Sequence, residues 1–311
     1  MVSRFLASLG ALTLLAACPT PEAPAPVDTA PEDTDPGVKN VEIQFEAVFG
    51  NETFDCGSEY RYIGLTSDAN VRPSDFRMFI QDMRFKENGI DNYVEVMLDE
   101  GSDFQDGSVA LLDFESGDRQ CEGGSVALNT TVTGTVLDLD YESVAFTIGV
   151  PFNRNHVPDP STAPPPLNTT SMWRDQLQGY YFMKLEMATN GDPDTFPVYI
   201  NSKGCQVSQG QVSECYMENR NVIELAGFDP ETQVIKLDLY ELLSKSRVST
   251  NAETESGIQT PSGCQSDPID PDCQDLFVSY GLSAIPQEWV TARDKFDTCL
   301  LYTSPSPRDR G

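Results

Sequence analysis

Within the stretch FTIGVPFNRNHVPDP stands His156, the only histidine among 311 residues. Imidazole titrates near neutral pH and ligates soft and borderline metals, so His156 offers three roles: metal ligand, base, or a hydrogen-bonded residue ordering the turn before a proline-rich segment. No nucleophilic triad forms around it, because no serine stands in a GxSxG elbow. The carboxylates are too numerous for spacing to single out a glycosidase pair, which leaves hydrolysis of a glycan the weakest reading. Among the thioethers, Met183 and Met187 share one face of a strand and fill a core, so only Met172 keeps a place as a soft metal ligand. The run SDPIDPDCQD carries Asp267, Asp270, Asp272 and Asp275, an oxygen set suited to calcium. It lacks the glycine and terminal glutamate of an EF-hand loop, and a disulfide-closed turn is the better account.

Both ends need separating from the fold. The opening MVSRFLASLGALTLLAAC has Arg4 before an apolar run, Phe5 to Ala17, too short for a permanent membrane helix, which is the pattern of a secretory signal. Its close, Leu15-Ala16-Ala17-Cys18, reads as a bacterial lipobox with Cys18 acylated (residues 1–18). Pro19, where aspartate would favour the inner membrane, points to an outer-membrane lipoprotein whose domain lies on the periplasmic or cell-surface side. Residues 19–37 are proline-rich and acidic and read as a disordered tether. At the other end, CLLYTSPSPRD (Cys299 to Asp309) is what one reading frame of a transposase-type sequencing adapter encodes. Residues 299–311 are accordingly expected to be a translation artefact, leaving 38–298 as the domain.

Setting aside Cys18 and Cys299 leaves Cys56, Cys121, Cys205, Cys215, Cys264 and Cys273. An even number in an exported chain indicates disulfides. The separations 205/215 and 264/273 close small loops at low entropic cost, which leaves Cys56 for Cys121. A thiolate metal site is the alternative, but CxxC spacing is missing and the compartment is oxidising. Twenty Lys and Arg against 49 Asp and Glu give 20 − 49 = −29, which excludes a nucleic-acid footprint and fits a solvated acidic surface.

These residues must be positioned by strands. VEIQFEAVFG alternates Val41, Ile43, Phe45 and Ala47 with Glu42, Gln44 and Glu46, the period of a half-buried strand. Similar runs recur as DFRMFIQDMRF, NYVEVML, SVALLDF, VAFTIGV, GYYFMKLEM, FPVYIN and QVIKLDL, divided by turn residues. The expected fold is mainly β, a single β-sandwich-like or partly closed barrel domain with long loops. One or two short helices are expected, at LYELLSKS and CQDLFVSYGL. The proline-rich crossing from Val157 to Trp173 cannot be a central strand.

Several phrases together resemble one family, the MbnP-like or metallo-mystery pair system four-Cys motif proteins. They run in order: FEAVFGNETFDCG, DFRMFIQDMRF, VALLDFESGDRQC, GVPFNRNH, PPLNTTSMW, GYYFMKLE, GCQVSQGQVSEC with NRNVIELAGFDP, and GCQSDPIDPDCQDLFVSYGL, across roughly residues 41–282. The resemblance implies an exported, copper-associated β-rich protein that binds and handles copper without turning over a substrate. Its implied partner is a dihaem cytochrome c peroxidase-like protein, and a tryptophan oxidised to kynurenine joins histidines at the metal. The four-cysteine signature then falls on Cys56, Cys121, Cys205 and Cys215, and the GVPF-motif histidine on His156. Trp173 is the candidate for modification, although Arg174 and Gln176 stand where relatives often carry aromatics. Before Gly204-Cys205, Tyr199 replaces an expected histidine. With one imidazole, copper would have to recruit Met172, a carboxylate, Tyr199 or the Trp173-derived amine. The contrasting expectation is a structural or adhesion-type surface lipoprotein that kept the scaffold and lost the metal site.

Overall fold

The computed structural model describes residues 36–118, 121, 124, 126–254, 256–282 and 301–305. The signal, Cys18, most of the tether and residues 299, 300 and 306–311 lie outside the described residues. Strand β1 (Val38–Phe49) keeps the alternation read from the sequence, burying Val41, Ile43, Phe45 and Ala47 while Glu42 faces out. Chain order then gives β2 (Glu52–Thr53), β3 (Tyr60–Ile63), β4 (Ala69–Glu87), β5 (Tyr93–Glu95), β6 (Met97–Leu98), β7 (Gln105–Asp106), β8 (Val109–Asp113), β9 (Thr131–Leu137) and β10 (Tyr141–Ile148). After helix α1 (Phe152–Asn155) come β11 (Trp173–Asp175), β12 (Gly179–Tyr180), β13 (Met183–Thr189), β14 (Val198–Ile200), β15 (Lys203–Ser208), β16 (Gln211–Met217) and β17 (Asn221–Ala226). The last described elements are β18 (Gln233–Asp238), α2 (Leu239–Leu243), α3 (Pro271–Tyr280) and β19 (Leu301–Pro305).

Among the described residues, one sheet has six strands in the order β19-β18-β1-β9-β6 with β2 on β1. A second has nine, ordered β14-β13-β4-β10-β17, with β3, β5 and β8 on β4 and β7 on β8. Neither closes into a barrel, so the sandwich is the form taken. The buried side chains of both sheets belong to one hydrophobic cluster. Phe45 of β1 meets Phe146 of β10 edge to face, with ring centroids 5.7 Å apart, joining the two layers.

Strand β4 organises the larger sheet. Along one edge it pairs with β13 through Val71–Met78 and then with β10 through Ile80–Glu87. Its other edge takes β3, β8 and β5 in turn. The hand-over from β13 to β10 falls at Phe79, whose N–H donates to Phe182 O and whose carbonyl accepts from Gly149 N, both at 2.9 Å. A bulge at Asp82 (φ 54°) then moves the register from Gln81↔Thr147 to Arg84↔Ala145.

The structure extends the sequence reading in places. DFRMFIQDMRF is part of a 19-residue strand that begins at Ala69 and tolerates Pro73 opposite an irregularity between Glu186 and Met187. GYYFMKLEM is not continuous; it breaks after Tyr180 and resumes at Met183, where Met183 and Met187 point into the core as expected. β9, β15, β16 and β17 come from segments not singled out as strands, and α1 adds a third helix to the two expected. α3 begins with Pro271 after the capping Asp270 and ends at Gly281 (φ 93°), the usual proline-first, glycine-last arrangement. The Asp-rich run is therefore a helix cap and a disulfide-closed turn. Leu301–Pro305, assigned from sequence to a translated adapter, lies antiparallel along β18. An edge ladder uses main-chain groups, so such pairing is open to any extended segment.

Three disulfides close the expected loops: Cys56–Cys121, Cys205–Cys215 and Cys264–Cys273. The larger sheet also carries buried charge. Arg77 donates through Nε to Asp75 Oδ1 at 2.8 Å, Lys184 Nζ reaches Asp75 Oδ2 at 2.8 Å and Glu186 at 3.2 Å, and Arg77 Nη1 donates to Ser171 Oγ at 2.8 Å. Burial pushes the neighbouring Asp113 carboxyl up to about 7 against the pull of Arg77, with Glu115 adding to the rise. Burial does the same to Asp272, also to about 7, against a hydrogen bond from Ala252 N–H.

Phe146→Ala, which empties the contact between the layers, is expected to cost about 3–5 kcal/mol in urea unfolding. A carboxyl raised on folding keeps a proton that the unfolded chain, titrating near pH ~3.9, has already lost. Its contribution is therefore present at acid pH and declines as pH rises to about 7, by at most about 1.4 kcal/mol per pH unit per group. Asp113→Asn should flatten this decline in unfolding free energy measured between pH 5 and 8.

Candidate metal centre

β10 ends at Ile148, and Gly149 (φ 139°) turns the chain through Val150-Pro151 into α1. The turn is tied down by Arg220, whose Nε donates to Val150 O at 2.7 Å and whose guanidinium covers the rings of Phe152 and Phe182. Fully buried Asn155 ends α1 and joins three segments. Its Oδ1 accepts from Tyr180 N at 2.9 Å, and its Nδ2 donates to Ser202 Oγ at 3.3 Å and lies 3.2 Å from His156 Nε2. Gly179 (φ 74°) packs against that amide so closely that an added Cβ would stand 2.3 Å from Nδ2.

His156, half-buried, packs edge-on against Phe152 with centroids 5.0 Å apart. Its Nδ1 lies 3.1 Å from Gln176 O in the turn between β11 and β12. A carbonyl only accepts, so Nδ1 carries the proton and Nε2 keeps its lone pair. Nε2 faces Cys215 Sγ at 3.5 Å, and it lies within 4.8 Å of both sulfurs of Cys205–Cys215. Burial holds the imidazole below its ordinary value, opposed by the bond to Gln176 and assisted by Arg220.

The other sequence candidates take different places. Trp173 pairs with Tyr180 on the hairpin whose turn supplies Gln176 O, and its half-buried ring packs on the core. Its buried Nε1 has no hydrogen-bond partner among the described residues. Met172 is fully buried in the hydrophobic cluster, a packing role. Tyr199 stands on β14 with its hydroxyl donating to Glu186 Oε1 at 2.5 Å and its ring 4.9 Å from that of Tyr181. Burial and then Glu186 raise the Tyr199 phenol well above its ordinary value, which opposes a phenolate ligand. Asn155, Gln176, Arg220 and the nearness of Cys215 to His156 were not read from the sequence. Asn155 adjoins His156 in the chain, but nothing in the residue types marks the other three.

The profile of the MbnP family matches residues 38–266. The chain belongs to the MbnP family. A solved structure, MbnP from Methylosinus trichosporium, is similar in fold, with a TM-score of 0.72 at 24% identity over 86% of this chain and 99% of that one. No curated protein matches the chain. Membership accords with the ordered phrases read from the sequence, and the matched span contains His156, Trp173, Tyr199 and all four residues of the cysteine signature.

Because Gly179 holds Asn155 against His156, Gly179→Ala is expected to cost about 2–4 kcal/mol and to displace the imidazole. The chain's single histidine provides one imidazole NMR signal to follow. That signal should shift in Gly179→Ala and stay in place in Gly89→Ala, where the glycine between β4 and β5 is equally left-handed (φ 73°) but an added Cβ meets nothing within 4 Å.

Proposed function

We propose that this protein is an exported, lipid-anchored copper-binding protein. In this reading, His156 supplies the imidazole ligand, and a dihaem cytochrome c peroxidase-like partner supplies the oxidising equivalents that convert Trp173 to kynurenine. The observation that carries the proposal is the anchoring of His156. One ring nitrogen is fixed on a backbone carbonyl and the other presents its lone pair toward the Asn155 amide, 3.2 Å away, the kind of anchoring that orients metal-ligating histidines. Family membership adds to it. So does the hairpin, which puts Trp173 and the Gln176 carbonyl on one short element. Bound copper would supply a redox-active centre with affinity for nitrogen and sulfur; the chain's part is to orient the imidazole and shelter it beside Phe152. Handling of the metal, without turnover of a substrate, fits a chain lacking a nucleophile arrangement. Acylation of Cys18 would hold the domain at the outer membrane, on its periplasmic or cell-surface side.

A second reading, a structural or adhesion-type surface lipoprotein on the same scaffold, is favoured by one observation. Tyr199, where a second imidazole was expected, is committed to Glu186. The two readings separate by experiment. Mature protein produced with the partner should carry copper by elemental analysis and show the small mass gain of kynurenine on the peptide containing Trp173. His156→Ala should weaken copper binding in calorimetric titration by more than about tenfold. Metal-free protein with unmodified Trp173, prepared both with and without the partner, would sink the copper reading.

A further inference from the structure

We propose that the Cys205–Cys215 disulfide is a redox-gated ligand pair: once reduced, its two thiolates join His156 in a site for a soft d10 cation, Cu(I). The choice of cation rests on the copper reading above, but the nitrogen and two-sulfur donor set does not. Among the described residues, His156, Cys205 and Cys215 are the group of ionisable or thiol side chains whose donor atoms converge as a metal requires. Imidazole and thiolate donors about 2.0 and 2.3 Å from a d10 ion such as zinc stand about 3.5 Å apart. His156 Nε2 already stands 3.5 Å from Cys215 Sγ.

Two features make this pair, and not the other two, the one that opens, and two more let it hold a cation. Cys56, Cys121, Cys264 and Cys273 are each at most 2% exposed, whereas Cys205 is only half-buried, which leaves its sulfur the more open end of the Cys205–Cys215 bond. Accessibility governs attack by an external thiolate. The pair also sits directly across the β15–β16 hairpin, a two-stranded sheet of its own, so its sulfurs can part without moving either main sheet. Asn155 Nδ2, the group now facing Nε2, retains Ser202 Oγ as an acceptor when a cation takes the lone pair. Arg220, stacked on Phe152 beside the imidazole, offsets the negative charge of a two-thiolate complex.

The chemistry balances with a dithiol reductant. Its thiolate attacks one sulfur, the Cys205–Cys215 bond breaks, and the reductant leaves as its own disulfide after passing two electrons and two protons to the cysteines. Cu(I) then displaces both thiol protons to solvent. In the oxidised chain the same sulfurs are closed to the metal and only the imidazole is offered.

The test uses the full chain with Cys18→Ser and Cys299→Ser, so that no other thiol competes. Graded dithiothreitol followed by alkylation and peptide mass mapping should label Cys205 and Cys215 before any other cysteine. Against a chromogenic Cu(I) chelator, the reduced chain should bind one Cu(I) with about 100-fold or greater gain over the oxidised chain. It should also show a thiolate-to-copper absorption band in the near ultraviolet. His156→Ala should lower the reduced-state affinity by about tenfold or more, and Cys205→Ser with Cys215→Ser should abolish the gain. If that double variant does not fold, the wild-type comparison and His156→Ala still decide. The proposal is overturned if reduction leaves Cu(I) affinity unchanged, if a buried disulfide opens first, or if reduced His156→Ala binds like its parent. A reduced chain that binds while the oxidised chain, prepared with the partner, binds no copper would uphold this site and overturn the earlier reading.

Discussion

The larger sheet depends on β4 having two edges and five partner strands. A strand of 19 residues is longer than any of its neighbours, so no single partner can satisfy its main-chain groups along either side. On one side β13 and β10 share the work end to end, and their meeting point at Phe79 is where Gly149 and Phe182 both bond to β4. The segments that leave this seam are those of the candidate site. One is the GVPF turn with α1 and His156; the other is the β11–β12 hairpin with Trp173. Two segments separated by the proline-rich crossing are thus brought side by side by the ladder of a third.

Across the seam the connection is made by one amide. Asn155 is fully buried and bonds to the backbone of Tyr180 and to the hydroxyl of Ser202, so α1, the hairpin and the turn after β14 move together. A buried amide left without partners costs more than its bonds return, which fixes the arrangement as much as it rewards it. His156 inherits its orientation from this junction and from the Gln176 carbonyl. The imidazole is therefore aimed by the fold, not by its own sequence neighbours alone.

Electrostatics divides the molecule. The net charge of −29 is carried mostly on solvated surface, while a short chain of opposite charges, Arg77, Asp75, Lys184 and Glu186, lies against the outer side of the larger sheet and ends on the Tyr199 hydroxyl. Each buried charge in it is paired, as the cost of burying a lone ion requires. Tyr199 is drawn into this network by Glu186. Its role as a hydrogen-bond donor there competes directly with any role as an anionic metal ligand.

The sequence by itself determined the β-rich class, the alternation of β1, the helical segments near 239 and 271, the closing of the short cysteine loops and the family. The family rests on the ordered phrases it shares with this chain; the others rest on local patterns, namely period-two burial, turn residues and spacing. It did not reveal β9, where Val132 and Val136 alternate with outward threonines but Gly134 takes the inward place between them, a glycine needed because β6 passes close enough for an added Cβ to meet Met97 O at 2.5 Å. Nor did it show that α1 would form after Pro151, since a four-residue helix is stabilised chiefly by its surroundings. The tertiary structure alone decided which groups His156 meets. Cys215 lies 59 residues along the chain from it and Gln176 lies 20, and no periodicity links them. Their meeting follows from sheet pairing at β4 and the buried Asn155, contacts whose energy exists only once the separate segments have packed.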